Sequence, residues 1–146
     1  LLWWNERKQE LPDLKRIVVN LDNGPECSGR RSQFLKRLVE FSDMTGLTVR
    51  MIYYPPYHSK YNGIERYWAG LEKSWNGYLL NTVSVVLNRA ANFVWKKVRS
   101  VVRLLDTTYE KGIKISGKEK LALEGRLERL EKLPLYDITI TPKTVY

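Results

Sequence analysis

Ile17-Val18-Val19-Asn20-Leu21-Asp22-Asn23-Gly24-Pro25 is a β-branched, apolar run that stops abruptly at an acid and a turn. Branching at Cβ favours pleated backbone, whereas Asn-Gly-Pro breaks it. The run predicts a buried strand with Asp22 at its C-terminal end. Downstream, Arg31 to Phe41 places Phe34, Leu35, Leu38 and Phe41 at helical spacing, with Lys36, Arg37 and Glu40 on the other face. Thr45-Gly46 stops that helix. Leu47 to Tyr54 reads as a second strand, closed by Pro55-Pro56. Strand, helix, strand in this order is a βαβ unit whose strands are expected to be parallel.

Beyond a loop through Tyr57-His58-Ser59-Lys60-Tyr61, a helix is expected from about Gly63 to Leu80. A longer amphipathic helix is expected from Val83 to Leu105, with Leu87, Ala91, Val94, Val98, Val101 and Leu105 three or four apart. Between Thr82 and Leu105 stand Arg89, Lys96, Lys97, Arg99 and Arg103, and no acid. A third helical pattern covers Lys118 to Leu133, ended by Pro134, and Asp137 to Thr141 reads as a last strand. The expected class is α/β with a helical C-terminal half.

The 146 residues suit a single core, and 43% hydrophobic residues exclude a disordered chain. The apolar runs fall far short of the ~20 residues a membrane helix needs. With no basic-then-apolar leader at the start, a cytoplasmic protein is expected. A single cysteine, Cys27, excludes an internal disulfide and a cysteine-clustered zinc site. With His58 the sole histidine, any metal must be held mainly by carboxylates, which selects Mg²⁺ or Mn²⁺. A net charge of +9 and a pI near 9.7 favour a polyanionic partner.

Two carboxylates stand out by position. Asp22 ends a strand, where open α/β sheets gather ligands, and Glu65 falls in the first turn of a helix. Enough chain separates them for the helix and strand that return to the same sheet edge. Two such groups can hold divalent ions that activate a water or a DNA 3′-hydroxyl and stabilise the leaving oxygen. Each also has a plainer reading. Asp22 suits the turn before Asn-Gly-Pro, and Glu65 lies three residues after Asn62, the spacing of a capping box. Around them, Arg30, Arg31, Lys36 and Arg37 can meet a DNA backbone, as can His58 and Lys60, while Tyr57 and Tyr61 can stack on a base. Trp68 and Trp75 share a helix face with Glu65 and read as core.

The stretch Leu21-Asp22-Asn23-Gly24-Pro25-Glu26 followed by Arg31 to Phe41 resembles the second acidic motif of the ISAzo-thirteen family of bacterial insertion-sequence transposases. Tyr53-Tyr54-Pro55-Pro56-Tyr57-His58-Ser59-Lys60-Tyr61-Asn62-Gly63-Ile64-Glu65-Arg66-Tyr67-Trp68, with Leu71-Glu72 and Trp75-Asn76-Gly77, resembles its third. Weaker likeness continues through Tyr109, Gly112 and Ile113-Lys114 to Arg126-Leu127-Glu128-Arg129 and Tyr136-Asp137-Ile138. Retroviral-type integrases share a looser version, without the Tyr-Pro-Pro-Tyr-His-Ser-Lys run.

The resemblance implies a partial ribonuclease H-like (DDE) core over residues 1–82, with a helical extension of the same domain over 83–146. It implies metal-dependent DNA strand cleavage and transfer at transposon ends and target, in a nucleoid-associated enzyme that is a possible homodimer when intact. Asp22 and Glu65 are by resemblance the second and third metal-binding carboxylates, served by Mg²⁺ or Mn²⁺. No upstream Asp fits the first, so the chain is expected to be a fragment, inactive alone, whose Asp22 strand keeps an unpaired apolar edge. Gly63 stands where the family usually has Pro, and Lys96-Lys97 continues where it tends to break with Gly and Pro. A non-catalytic basic DNA-binding remnant, an integrase-like core fragment, and an unrelated basic α/β protein are the alternatives. DNA binding is expected to be sequence-independent and salt-sensitive, through phosphate contacts. Fluorescence anisotropy on unrelated duplexes checks this, and an affinity equal at low and moderate salt excludes it.

Overall fold

The Ile17 run forms strand β1 (Arg16–Leu21) in the computed structural model of the chain, which describes residues 1–55, 58, 61–108 and 112–143. The chain divides into two compact units, residues 1–59 with 112–146, and residues 60–111. In the first, helix α1 (Leu2–Arg7) precedes β1, and helix α2 (Ser32–Thr45) carries the chain to strand β2 (Thr48–Tyr53). The two strands pair in parallel from Arg16 opposite Thr48 to Leu21 opposite Tyr53, so the βαβ unit read from the sequence is present. Helix α5 (Gly117–Glu124), strand β5 (Glu128–Arg129) and strand β6 (Asp137–Ile140) complete this unit. Strand β6 runs antiparallel to both β2 and β5, giving a mixed sheet in the order β1-β2-β6-β5.

Period-two alternation decides what this sheet buries. Val49, Met51 and Tyr53 point to one face of β2, with Ile138 and Ile140 beside them on β6. Leu35 of α2 and Leu123 of α5 close over that face, and Ile17, Val19 and Leu21 of β1 border it. Full burial of side chains of this size contributes about 1.5–3 kcal/mol each. The opposite face is polar, where Arg50 donates twice to Asp137, at 3.0 and 2.6 Å. Gly46 ends α2 at φ 73°, the left-handed conformation that a glycine accepts without strain. The fully buried Ser42 hydroxyl donates to the Leu47 carbonyl at 2.7 Å and so fixes the entry to β2. β1 is an edge strand, and Val18 on it is 51% exposed.

The second unit holds helix α3 (Gly63–Ser74), helix α4 (Val83–Ala91) and a hairpin of strands β3 (Val94–Trp95) and β4 (Val98–Arg99). Three expectations fail here and downstream. α3 stops at Ser74 rather than Leu80, and Gly77 beyond it adopts φ 81°. The helix expected to Leu105 ends at Ala91, because Phe93 and Trp95 turn back onto α3 and Lys96-Lys97 form a turn. The helix expected to Leu133 ends at Glu124, because Leu127 packs into the core and Glu128–Arg129 pair with β6. The C-terminal half is therefore mixed, not helical. Among the described residues no helix is long and apolar enough to cross a membrane.

Asp43 and Arg126 tie α2 to the segment after α5. Arg126 donates to both Asp43 oxygens, at 2.9 and 2.6 Å, and the Lys143 amide adds a third bond at 2.9 Å. The Arg126 bonds outweigh the upward push of partial burial and, with that amide, hold the Asp43 carboxyl down to about 2 against its usual 3.8. A depressed carboxylate stabilises the fold above its ordinary value and stops doing so as pH falls through its folded one. Asp43→Asn is expected to cost roughly 1–2 kcal/mol at neutral pH. In paired urea melts that cost should shrink as pH falls from about 4 towards 2, the window set by the two values.

Candidate active site

Asp22 follows the last residue of β1, where the ladder ends and the chain turns. Asn23 takes φ 26°, a backbone state that Asn tolerates better than most residues, and the Cys27 amide closes the turn on the Gly24 carbonyl at 3.2 Å. The Asp22 carboxylate folds over this turn, its Oδ1 lying 3.5 Å from where a Gly24 Cβ would be. The Cys27 thiol donates to the same oxygen at 3.5 Å. Burial chiefly, with the Asp22 carboxylate beside it, pushes that thiol up from 9.0. From the core side, the Tyr53 hydroxyl donates to the Cys27 carbonyl at 2.8 Å. Burial keeps that phenol protonated far above the usual tyrosine value. Cys27, unassigned from the sequence, thus lies between the core and the acid, and its spacing from Asp22 across a turn was the available signal.

Glu65 belongs to the other unit, in the first turn of α3. Asn62 caps that helix by accepting from the Ile64 amide at 3.4 Å, and the Glu65 amide donates to the Asn62 carbonyl at 3.1 Å. The Glu65 side chain returns no bond to Asn62, and among the described residues it has no hydrogen-bond or ion-pair partner. The capping-box reading of Glu65 fails, whereas a complete box forms at Ser116 and Glu119. The inward side of α3 is Tyr67, Gly70 and Leu71, spaced three and four apart. Trp68, expected in the core, is 51% exposed. Gly70 decides this, because a Cβ there would come within 2.7 Å of the Trp95 ring.

Of the basic residues expected at DNA, Arg31 lies 3.6 Å from Glu26, Lys36 bridges to Glu119 at 3.3 Å and Arg37 to Glu40 at 2.7 Å. Arg30 is exposed and has no ion pair among the described residues. The His58 amide donates to the Pro55 carbonyl at 3.1 Å, and Tyr61 is exposed. Tyr57 and Lys60 lie outside the described residues. Among the described residues no three acidic, histidine or cysteine side chains cluster.

Residues 2–142 match the family described as Rhodopirellula transposase DDE domain. The chain belongs to that transposase family. The match spans both acidic motifs and bears out the likeness to ISAzo-thirteen transposases. No curated protein and no solved structure matches the chain. Membership gives this transposase domain a transposase-like function with DNA as its substrate class.

Within the transposase domain the Tyr53 hydroxyl is the sole link described between the buried sheet and the Cys27 carbonyl. Tyr53→Phe is expected to lower stability by about 1 kcal/mol, the worth of one such hydrogen bond. Amide exchange across residues 23–28 should speed up more than exchange in β6, as hydrogen-exchange mass spectrometry would register. Uniform acceleration through both segments would show that the bond does not localise to the turn.

Proposed function

We propose that this domain carries out metal-dependent DNA strand cleavage and transfer, with Asp22 and Glu65 as metal-binding carboxylates on a ribonuclease H-like core. The parallel β1–β2 pair, joined through α2 and ending at Asp22, supports that core. The observation that carries the reading is the family match across both acidic motifs, joined to the state of the two acids themselves. In a chain of net charge +9, carboxylates such as Asp43, Glu119 and Asp137 are each held by an Arg or Lys. Asp22 and Glu65, like Asp13, Glu72, Asp106 and Glu131, are exposed and meet no cationic side chain among the described residues. Of these, only Asp22 and Glu65 take, by resemblance, the metal-binding positions of the acidic motifs. Carboxylate oxygens without a cationic partner, of which Asp22 Oδ1 accepts only the weak Cys27 thiol bond, fit a hard divalent cation such as Mg²⁺ or Mn²⁺.

When bound, such an ion lowers the pKa of a nucleophilic water or 3′-hydroxyl and stabilises the departing oxygen. The chain's own residues do the positioning. The turn closed by Gly24 and Cys27 fixes where the Asp22 carboxylate emerges, and the Asn62 cap sets Glu65 in the first turn of α3. Arg30, exposed and without an ion pair among the described residues, offers charge to a DNA backbone, whereas Arg31, Lys36 and Arg37 near it in the chain already face glutamates.

Titrating the chain with Mn²⁺ and following free ion by electron paramagnetic resonance tests the reading. Asp22→Asn and Glu65→Gln are each expected to weaken binding without lowering the melting temperature. Losing a ligand costs at least as much as losing a group that only orients one, about tenfold. Equal Mn²⁺ affinity in wild type and both variants would overturn the assignment.

A further inference from the structure

The β3–β4 hairpin is bent at its tip in a way its residues resist. Trp95 pairs with Val98, leaving Lys96 and Lys97 as a two-residue loop. Their φ values are 47° and 69°, the pair of positive angles that marks a type I′ turn. Such turns favour Asn-Gly because a Cβ crowds the backbone at positive φ. Two consecutive lysines are therefore strained where the fold would be served better by other residues. Strain held in place by its surroundings points to a use for the side chains that impose it.

The surroundings do hold it. Phe93 and Trp95 lie against Tyr67 of α3, with ring centroids 5.3 and 6.3 Å away. Gly70 leaves room for the Trp95 ring. At the hairpin's base the Ser100 amide donates to the Phe93 carbonyl at 3.0 Å, and the Ser100 hydroxyl lies 2.7 Å from the Tyr67 hydroxyl. The ribbon is thus fastened to the helix that carries Glu65, at Tyr67 and Gly70, about 3 to 7.5 Å further along its axis by the rise per residue.

Its charge is not matched locally. Lys96, Lys97 and Arg99 are exposed and have no ion pair among the described residues, and no acid occurs from Thr82 to Leu105. On α2, by contrast, Lys36 and Arg37 are both neutralised by glutamates. A two-stranded ribbon fits a duplex groove in cross-section, and exposed lysines at its tip can reach phosphates as compact point charges. We propose that the β3–β4 hairpin is a DNA backbone-binding ribbon, with Lys96 and Lys97 at its tip and Arg99 on its returning strand. The proposal rests on the reading of the domain as DNA-acting, and adds a contact surface attached to the Glu65 helix.

The decisive variant is Lys96→Asn with Lys97→Gly, which supplies the residues the turn favours and removes both charges. Its melting temperature should rise by a few degrees while its affinity for a labelled duplex of arbitrary sequence falls several-fold. The slope of log affinity against log salt should flatten by about 1–2, since each phosphate contact contributes roughly 0.9. Lys8→Gln with Lys132→Gln removes the same charge from the other unit and should leave the slope nearly unchanged. A tip variant that binds with wild-type affinity and slope overturns the proposal, as does a control variant that loses as much as the tip variant. A wild-type chain that fails to bind duplex at low salt overturns it together with the DNA-binding reading. Mn²⁺ binding at Asp22 and Glu65 does not involve these lysines, so the metal reading stands or falls separately.

Discussion

Strand β2 is hydrogen-bonded on both edges, and that double pairing is the constraint on which its unit is built. A strand flanked on both sides needs every backbone group in register, so the side-chain alternation of Thr48–Tyr53 cannot slip without turning its apolar residues outward. Val49, Met51 and Tyr53 set the inner face, and α2 and α5 can close only over that face. The same strand reaches Asp22 indirectly. Parallel pairing puts Leu21 opposite Tyr53, and the Tyr53 hydroxyl then meets the turn that carries the acid. Core packing and the position of the carboxylate are one problem here, solved by the register of a single ladder.

The βαβ unit was legible because its signals agree: a β-branched run, a turn, a helical period, and a second run stopped by prolines. Those are local, and no distant contact opposes them. The long helix expected from Val83 to Leu105 shows how agreement fails. Its apolar spacing suits a helix, yet Val94, Val98, Val101 and Val102 are β-branched and lose side-chain freedom in one. The space above Gly70, distant in sequence, is what draws Trp95 back and turns the chain. A period measures which residues are apolar, and cannot register a vacancy on another element. The Asp137–Ile140 strand was legible by its own alternation, but its pairing with β2 depends on a register that only the folded sheet supplies.

The candidate site was legible in part for the same reason. Asp22 and Glu65 stand at element boundaries, where sequence signals are strongest, and their motifs are extended enough to carry a family likeness. What surrounds them was hidden. The Cys27 thiol on Asp22 depends on the geometry of a closed turn. The ion pairs that occupy Lys36 and Arg37 depend on α5 and on rotamers of a helix face. Charge counted along a chain overstates the charge available to a ligand, because a folded chain first satisfies its own acids.

This sorting gives the distribution of unpaired charge its meaning. An exposed ion pair contributes little to stability, so pairing on α2 chiefly cancels a field, and an unpaired cluster leaves one standing. The hairpin tip combines such a cluster with backbone angles that disfavour the residues bearing it. Stability alone selects neither feature, since Asn-Gly would make the turn at lower cost and remove the mutual repulsion of adjacent lysines. The two penalties fall on the same two residues, on an element fixed by Tyr67 and Gly70 to the helix that carries Glu65. A coincidence of strain, repulsion and attachment suits a contact surface for a polyanion. A bound phosphate backbone offsets the repulsion more fully than the salt that screens it, while the attachment keeps the tip in place on the helix that bears the acid.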